Sequence, residues 1–301
     1  MKSLSRRRFL MQSGGAGAAM LAANWLSRKA NSNPLGRPIG IQLYAVNSAM
    51  RDDPAGTLKK LREIGFGEVE TAGFGKLSAK EFRKLLDDAG LACPSAHLQF
   101  DIDNLGPTFE DAHALGVQYV TSGGLRASLR PPIMGLASGM TLDEAKRTAA
   151  LANQIGEKAR QAGLQYAYHN HAVEFADQGG AVGYDILLRE SNPDLVKFEI
   201  DCGWMVVGGR NPIDYFKQYP NRFPMIHVKD FLPPHKGADG GNAPEHPGAE
   251  LGRGIIDYKP IFAAAEKAGL QHYFAEQEGP FARMSQLQAA QQAYAYLHSI
   301  S

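Results

Sequence analysis

The chain has 301 residues, 44% hydrophobic and 21% charged, with 33 glycines and a formal net charge of +1. Near-neutral charge supplies no field to draw it to nucleic acid or anionic lipid. The length admits one large α/β barrel or two smaller domains.

Residues 1–30 read as targeting sequence rather than fold. Ser5-Arg6-Arg7-Arg8-Phe9-Leu10 fits the twin-arginine export pattern, and a weakly apolar Gly/Ala/Met/Leu stretch runs from Gly14 to Leu26. That stretch is too short and glycine-rich for a span of roughly 20 strongly apolar residues, so no stable membrane span is expected in the mature form. The bland alternative is a frayed N-terminus. Arg28 makes Ser27-Arg28-Lys29-Ala30 a poor cleavage site, which leaves an uncleaved anchor open. Removal of this basic segment would leave a slightly acidic, periplasmic protein, which argues against a nucleic-acid partner.

From residue 31 to 301 a single domain is expected. Short apolar runs alternate eight times with helical patterns. The strands are expected at Ile39–Ala45, Glu68–Thr71, Ala92–His97, Tyr119–Thr121, Gln165–His171, Val196–Asp201, Met225–Val228 and Tyr273–Glu276. Helices are expected at Thr57–Ile64, Ser78–Ala89, Thr141–Ala162, Tyr184–Glu190, Pro212–Tyr219, Tyr258–Ala268 and Ser285–Leu297. Ser78-x-x-Glu81 and Thr141-x-x-Glu144 are capping boxes. Gly65, Gly90, Gly116, Gly163 and Gly269 mark helix ends. Strict alternation calls for parallel strands, and eight units over about 260 residues match a (β/α)8 TIM barrel. A doubly wound sheet would carry a glycine-rich phosphate turn after its first strand. Gln42-Leu43-Tyr44-Ala45-Val46 has none. The long loop from Phe231 to Gly254 follows the seventh strand, where such loops often serve as lids. Cys93 and Cys202 fall on nearly opposite strands and are expected as buried free thiols.

In a barrel of this kind the active site lies at the C-terminal strand ends. Those ends carry Glu70, His97, His169, His171, Glu199, Asp201, His227, Lys229, Glu276 and Glu278. The paired residues on one strand are spaced i, i+2 and share a face. So many ionisable groups at one mouth need a cation or mutual pairing. Taken singly each has a duller reading. Glu70 could sit at the surface, and His97 could be a structural hydrogen-bonded histidine. One of His169 and His171 could merely orient the other. Glu199 is expected one layer deeper than Asp201, and Lys229 could simply neutralise carboxylates. His235 and His246 are expected in solvent. Mixed imidazole and carboxylate donors suit one divalent cation, zinc or manganese rather than magnesium or calcium.

Several motifs, in order, resemble the xylose-isomerase-like sugar isomerase/epimerase superfamily, which includes inosose dehydratase, hydroxypyruvate isomerase and an apurinic endonuclease branch. They are Gly40-Ile41-Gln42-Leu43-Tyr44, Tyr168-His169-Asn170-His171-Ala172-Val173-Glu174-Phe175, Phe198-Glu199-Ile200-Asp201-Cys202-Gly203-Trp204, Ile226-His227-Val228-Lys229-Asp230, Gly252-Arg253-Gly254-Ile255-Ile256-Asp257-Tyr258 and Phe274-Ala275-Glu276-Gln277-Glu278. The resemblance implies a metal held from strands five to eight. Asp201, His227 and Glu276 match three of its ligands, and His169 stands where the family has glutamate. It further implies Glu276, His171, Glu174, Lys229 and His97 as catalytic groups, and Gln42, Glu70, Trp204 and Glu278 as substrate contacts. Trp204 stands where relatives often have histidine, and the endonuclease branch's further ligands are not reproduced.

Three functions follow as expectations. The first is a sugar isomerase or epimerase working through an enediolate on a non-phosphorylated sugar. The second is a dehydratase, hydratase or lyase acting on a keto sugar, favoured by His169. The third is a non-catalytic sugar-binding barrel. Family members are often dimers or tetramers, so a homo-oligomer is open.

Overall fold

The computed structural model describes residues 35–123, 125, 139–236, 244–279 and 284–300. The twin-arginine motif lies outside them. Eight strands form the barrel wall: β1 (Gly40–Gln42), β2 (Glu68–Thr71), β3 (Ala92–His97), β4 (Tyr119–Ser122), β5 (Gln165–His169), β6 (Val196–Asp201), β7 (Met225–Val228) and β8 (His272–Ala275). All neighbours pair in parallel, and β1 closes the sheet by pairing with both β2 and β8. The fold is a single (β/α)8 TIM barrel.

Capping fixes where the helices begin. Both capping boxes form: Ser78 and Thr141 accept the N–H of Glu81 and Glu144, whose carboxylates reach back to the cap N–H. The helix Pro54–Ile64 starts earlier than the apolar pattern shows, because Asp53 caps it with proline in its first turn. Gly90 and Gly116 close their helices in the left-handed region, at φ 71° and 73°. Three helices escaped the periodicity. Gly106–Leu115 has no side-chain cap, and Asn47–Asp52 and Cys202–Val207 are too short to show a period.

Two strands are shorter than expected, for local reasons. β1 stops at Gln42, whose side-chain oxygen accepts the Tyr44 N–H at 3.0 Å and turns the chain into a 3-10 segment over Leu43–Val46. β5 stops at His169, so His171 begins the turn that follows.

The barrel interior is layered by side-chain alternation. Its floor is an apolar cluster of Tyr119, Ala167, Met225 and Phe274. Gly40 has no Cβ, and one built there would lie 2.6 Å from the Phe274 ring, so this glycine makes room for the floor. Burying such a ring contributes about 1.5–3 kcal/mol. Above the floor the same strands present polar residues, which leaves the apolar core between wall and helices to hold the barrel together. Cys93 and Cys202 are buried and free, and burial pushes the Cys93 thiol up to about 12.

The base of the long loop is fixed. Asp230 Oδ1 accepts the N–H of Phe231 and Ile256, and its Oδ2 accepts those of Gly252 and Gly254. Asp230–Phe231 also pairs antiparallel with Gly248–Ala249. No helix among the described residues is long and apolar enough to cross a membrane.

Candidate metal centre

Register places two polar layers above the floor. β5 and β6 pair His169 with Glu199, and β6 and β7 pair Asp201 with His227. Glu276 follows the end of β8 directly, its N–H donating to the Val228 carbonyl at 3.0 Å. Ligand atoms of His169, Asp201, His227 and Glu276 all lie within 4.8 Å of one another, and all four residues are buried.

The upper layer is built around a lysine. Lys229 Nζ lies 3.2 Å from Asp201 Oδ2 and 3.0 Å from Glu276 Oε2, and it also contacts Glu278 at the rim. Burial opposes its charge, but the three carboxylates hold the ammonium well above its ordinary pKa. Tyr258 fixes the Lys229 backbone, its hydroxyl donating to the Lys229 carbonyl at 2.6 Å. Gly203 permits the close approach of the segment after β6, since a Cβ there would lie 2.8 Å from that same carbonyl. Asn170 pins the end of β6, accepting the Asp201 N–H at 3.1 Å and donating to its carbonyl. Asp201 in turn accepts the Trp204 N–H at 2.8 Å.

The lower layer holds Glu70, His97, Glu199 and part of His227. His97 Nε2 lies 2.8 Å from Glu199 and 3.2 Å from Glu70, and His227 Nε2 lies 2.7 Å from Glu70 and 3.2 Å from Glu199. His227 Nδ1 points the other way, 3.0 Å from Glu276. Burial works against the His97 cation, but Glu70 and Glu199 outweigh it and push the imidazole up to about 10. Burial and the charge of Glu70 favour the protonated form of Glu199, yet His227 and hydrogen bonds from His169 and His227 bring it down to about 2. His227 is raised by Glu199 and Glu276 despite its burial. His169 goes the opposite way, lowered by burial and by the like charge of His227.

Not every expected site residue faces the mouth. Gln42 and Glu70 were expected to touch substrate, but both are buried and committed. Gln42 donates to Glu70 at 2.8 Å, and Glu70 also accepts from Ser95 and pairs with His227. They support the layer beneath the centre. Glu174, expected as catalytic, is buried with its oxygens taken by the Tyr168 hydroxyl at 2.7 Å and the His171 N–H at 2.9 Å. It positions His171. His171 itself does reach the cluster, its ring 5.1 Å from that of His169. Burial holds its imidazole below the ordinary value, with the Lys229 charge adding to the effect. Trp204 forms a wall, its ring 4.8 Å from Lys229 Nζ, and its Nε1 is buried without a hydrogen-bond partner. Glu278 stays 38% exposed at the rim. His246 is half-buried rather than solvated, and the side chain of His235 lies outside the described residues.

Ser95, Thr121 and Asn170 were missed as support residues. Ser95 shares the inward face of β3 with His97, two residues on, and its hydroxyl lies 2.9 Å from that of Thr121. The spacing was visible; the small hydroxyls were not distinctive.

The donors fit a transition metal. Asp201 Oδ2 has only the Lys229 ammonium beside it, at 3.2 Å, and His169 Nδ1 only Glu199 Oε2, at 3.1 Å, so a bound cation would add the missing contacts of these buried donors. Two imidazoles and two carboxylates suit zinc or manganese.

Comparison with known proteins agrees with this architecture. The family described as xylose isomerase-like TIM barrel matches residues 58–299. Inosose dehydratase of Lacticaseibacillus casei is 30% identical over 165 residues, 52% of this chain and 55% of the relative, so the chain spans about half the length of the curated relatives it matches. A sugar phosphate isomerase/epimerase of Parabacteroides distasonis superposes with a TM-score of 0.70 at 25% identity, covering 86% of this chain and 97% of that one. A second from the same organism gives 0.72 at 23% identity, covering 88% and 96%. With the match running through almost the whole described barrel, the chain belongs to the xylose isomerase-like TIM barrel family.

Proposed function

We propose that this chain is a metal-dependent enzyme that removes the proton beside a carbonyl of a non-phosphorylated keto sugar or cyclitol and then expels a β-hydroxyl. His169, Asp201, His227 and Glu276 would hold the cation. A bound divalent cation supplies Lewis-acid polarisation of the carbonyl.

One asymmetry at the mouth carries the reading. Glu276 is held ionised by Lys229 and His227, well below the usual carboxylate range despite burial, which makes it a good anchor and a weak base. His171 is kept neutral by burial and therefore ready to accept a proton. One imidazole base on one side suits elimination: the C–H bond breaks to His171, the C–O bond to the β-hydroxyl breaks, and the same proton leaves with that hydroxyl as water. Epimerisation needs a base on each face, and the fifth-strand position that would supply the second is His169, which in this reading is committed to the cation. Lys229 faces the oxyanion that develops. Trp204 offers its unpaired N–H to a substrate hydroxyl.

The match to inosose dehydratase over about half that protein's length supports elimination. Isomerisation is the second reading, favoured by the sugar phosphate isomerase/epimerase that matches along nearly the whole barrel, since a single base can also carry a proton between neighbouring carbons. The twin-arginine motif supports a periplasmic location, where sugar phosphates are scarce. The test is incubation of the protein plus zinc or manganese with a panel of keto sugars in heavy water. Elimination gives an enone absorbance. Isomerisation gives solvent deuterium without it. Binding without either change would sink the catalytic reading.

A further inference from the structure

We propose that a second divalent cation, with zinc-like preference for nitrogen and oxygen, binds one layer below the first, between His97, Glu199, Glu70 and His227. Four donor atoms there form a closed ring of alternating nitrogen and oxygen. Its edges are His97–Glu199 at 2.8 Å, Glu199–His227 at 3.2 Å, His227–Glu70 at 2.7 Å and Glu70–His97 at 3.2 Å. A tetrahedron built on bonds of about 2.0–2.1 Å has edges of about 3.3 Å. Two of the ring's edges lie about 0.1 Å below that value, and the other two would lengthen by about 0.5–0.6 Å around an ion.

Charge points the same way. Glu70 and Glu199 are both 0% exposed and face each other across the ring. Two buried carboxylates need positive charge between them, and a divalent ion supplies it. A separate observation marks the spot. Glu199 Oε1, the other oxygen of a ring carboxylate, is buried with no hydrogen-bond partner. Ligand atoms of three of the four ring residues, His97, Glu199 and His227, lie within 4.8 Å of one another.

His227 links this position to the one above, since its Nδ1 faces Glu276 and its Nε2 faces Glu70 and Glu199. His227 would be the side chain common to the two positions, with one ring nitrogen toward each. His97 is 19% exposed and lines a groove with Gly73, Phe74, Gln99 and Gly123, so it is the ring residue nearest solvent.

The inference rests on the proposed upper centre, with which it shares His227, and the test separates the two. The full chain is loaded with zinc, freed of excess by gel filtration, and its zinc content measured by mass spectrometry. Two equivalents per chain are expected, with two anomalous peaks at the zinc edge inside the barrel of a crystal. Asp201→Asn should keep the lower peak and Glu199→Gln the upper one. A single interior peak between Asp201 and Glu276, with any further zinc at the surface, overturns the second cation and leaves the upper centre standing. No interior zinc overturns both. Should Glu199→Gln fail to fold, the map of the unsubstituted protein decides alone.

Discussion

Lys229 and Glu276 form a buried ion pair, Nζ 3.0 Å from Oε2, with 4% and 8% of the two side chains exposed. The same ammonium stands 3.2 Å from Asp201. Lys229 is therefore a counter-charge for two proposed metal ligands, and removing it leaves Asp201 without an ion-pair partner and Glu276 with His227 alone. Breaking a buried pair in this way costs about 3–5 kcal/mol. Lys229→Met should lower the thermal midpoint strongly in chelator-treated protein, and less after zinc loading, because the cation replaces part of the missing charge. Equal losses with and without zinc in differential scanning calorimetry would detach Lys229 from the centre.

Loading the centre should release a proton near pH 7. His227 is held well above its ordinary pKa by Glu199 and Glu276, so the imidazole carries a proton that a cation at Nδ1 must displace. Titration calorimetry with zinc in buffers of different ionisation enthalpy should show heats that depend on buffer, and affinity should fall as pH drops. Buffer-independent heats would count against His227 as a ligand.

His171 sets the acid limb of activity. It must be neutral to accept a proton, and burial has moved its pKa below the ordinary 6.5. Turnover should hold as pH falls past that value and fail only at lower pH. His171→Ala should cost roughly 10²–10⁴-fold in kcat. Glu174→Gln, which removes a neighbouring charge and loosens the positioning of His171 but leaves the imidazole in place, should cost less. A variant at His171 with unchanged kcat would move the base elsewhere.

In metal-free protein, the His97–Glu199 pair should give a stability window with two edges. Glu199 is down at about 2 against an ordinary 4.5, so its contribution is present above 4.5 and lost as pH falls toward 2. His97 is up at about 10 against an ordinary 6.5, so its contribution is full below 6.5 and lost as pH rises toward 10. The pair is thus fully effective between these limits, about pH 4.5 to 6.5. Thermal melts of His97→Gln should lose the alkaline slope that belongs to this pair. An unchanged slope would assign it to another group.

The barrel was legible in the sequence because parallel strands buried on both faces stand out between capped helices. Ser78 and Thr141 announced their helices, whereas Gly106–Leu115, lacking a side-chain cap, did not. Alternation correctly set Glu199 a layer below Asp201 and brought His169, Asp201, His227 and Glu276 together. It could not tell depth within the barrel for Gln42 and Glu70. Both point inward near their strand ends, but Gln42 is spent on Glu70, and Glu70 on Ser95 and His227, contacts that alternation does not reveal. Nor could it anticipate Glu174, which follows the end of β5 and turns back beneath Tyr168.

Metal-dependent exchange of a substrate α-proton is the decisive measurement. Chelator-treated protein in heavy water with a keto sugar should show no deuterium uptake or elimination by proton NMR. Activity should return in step with added zinc or manganese for the unsubstituted chain and stay absent for Asp201→Asn. Undiminished turnover in the chelated protein, or in Asp201→Asn without added metal, would contradict a cation at these four residues as the centre of catalysis.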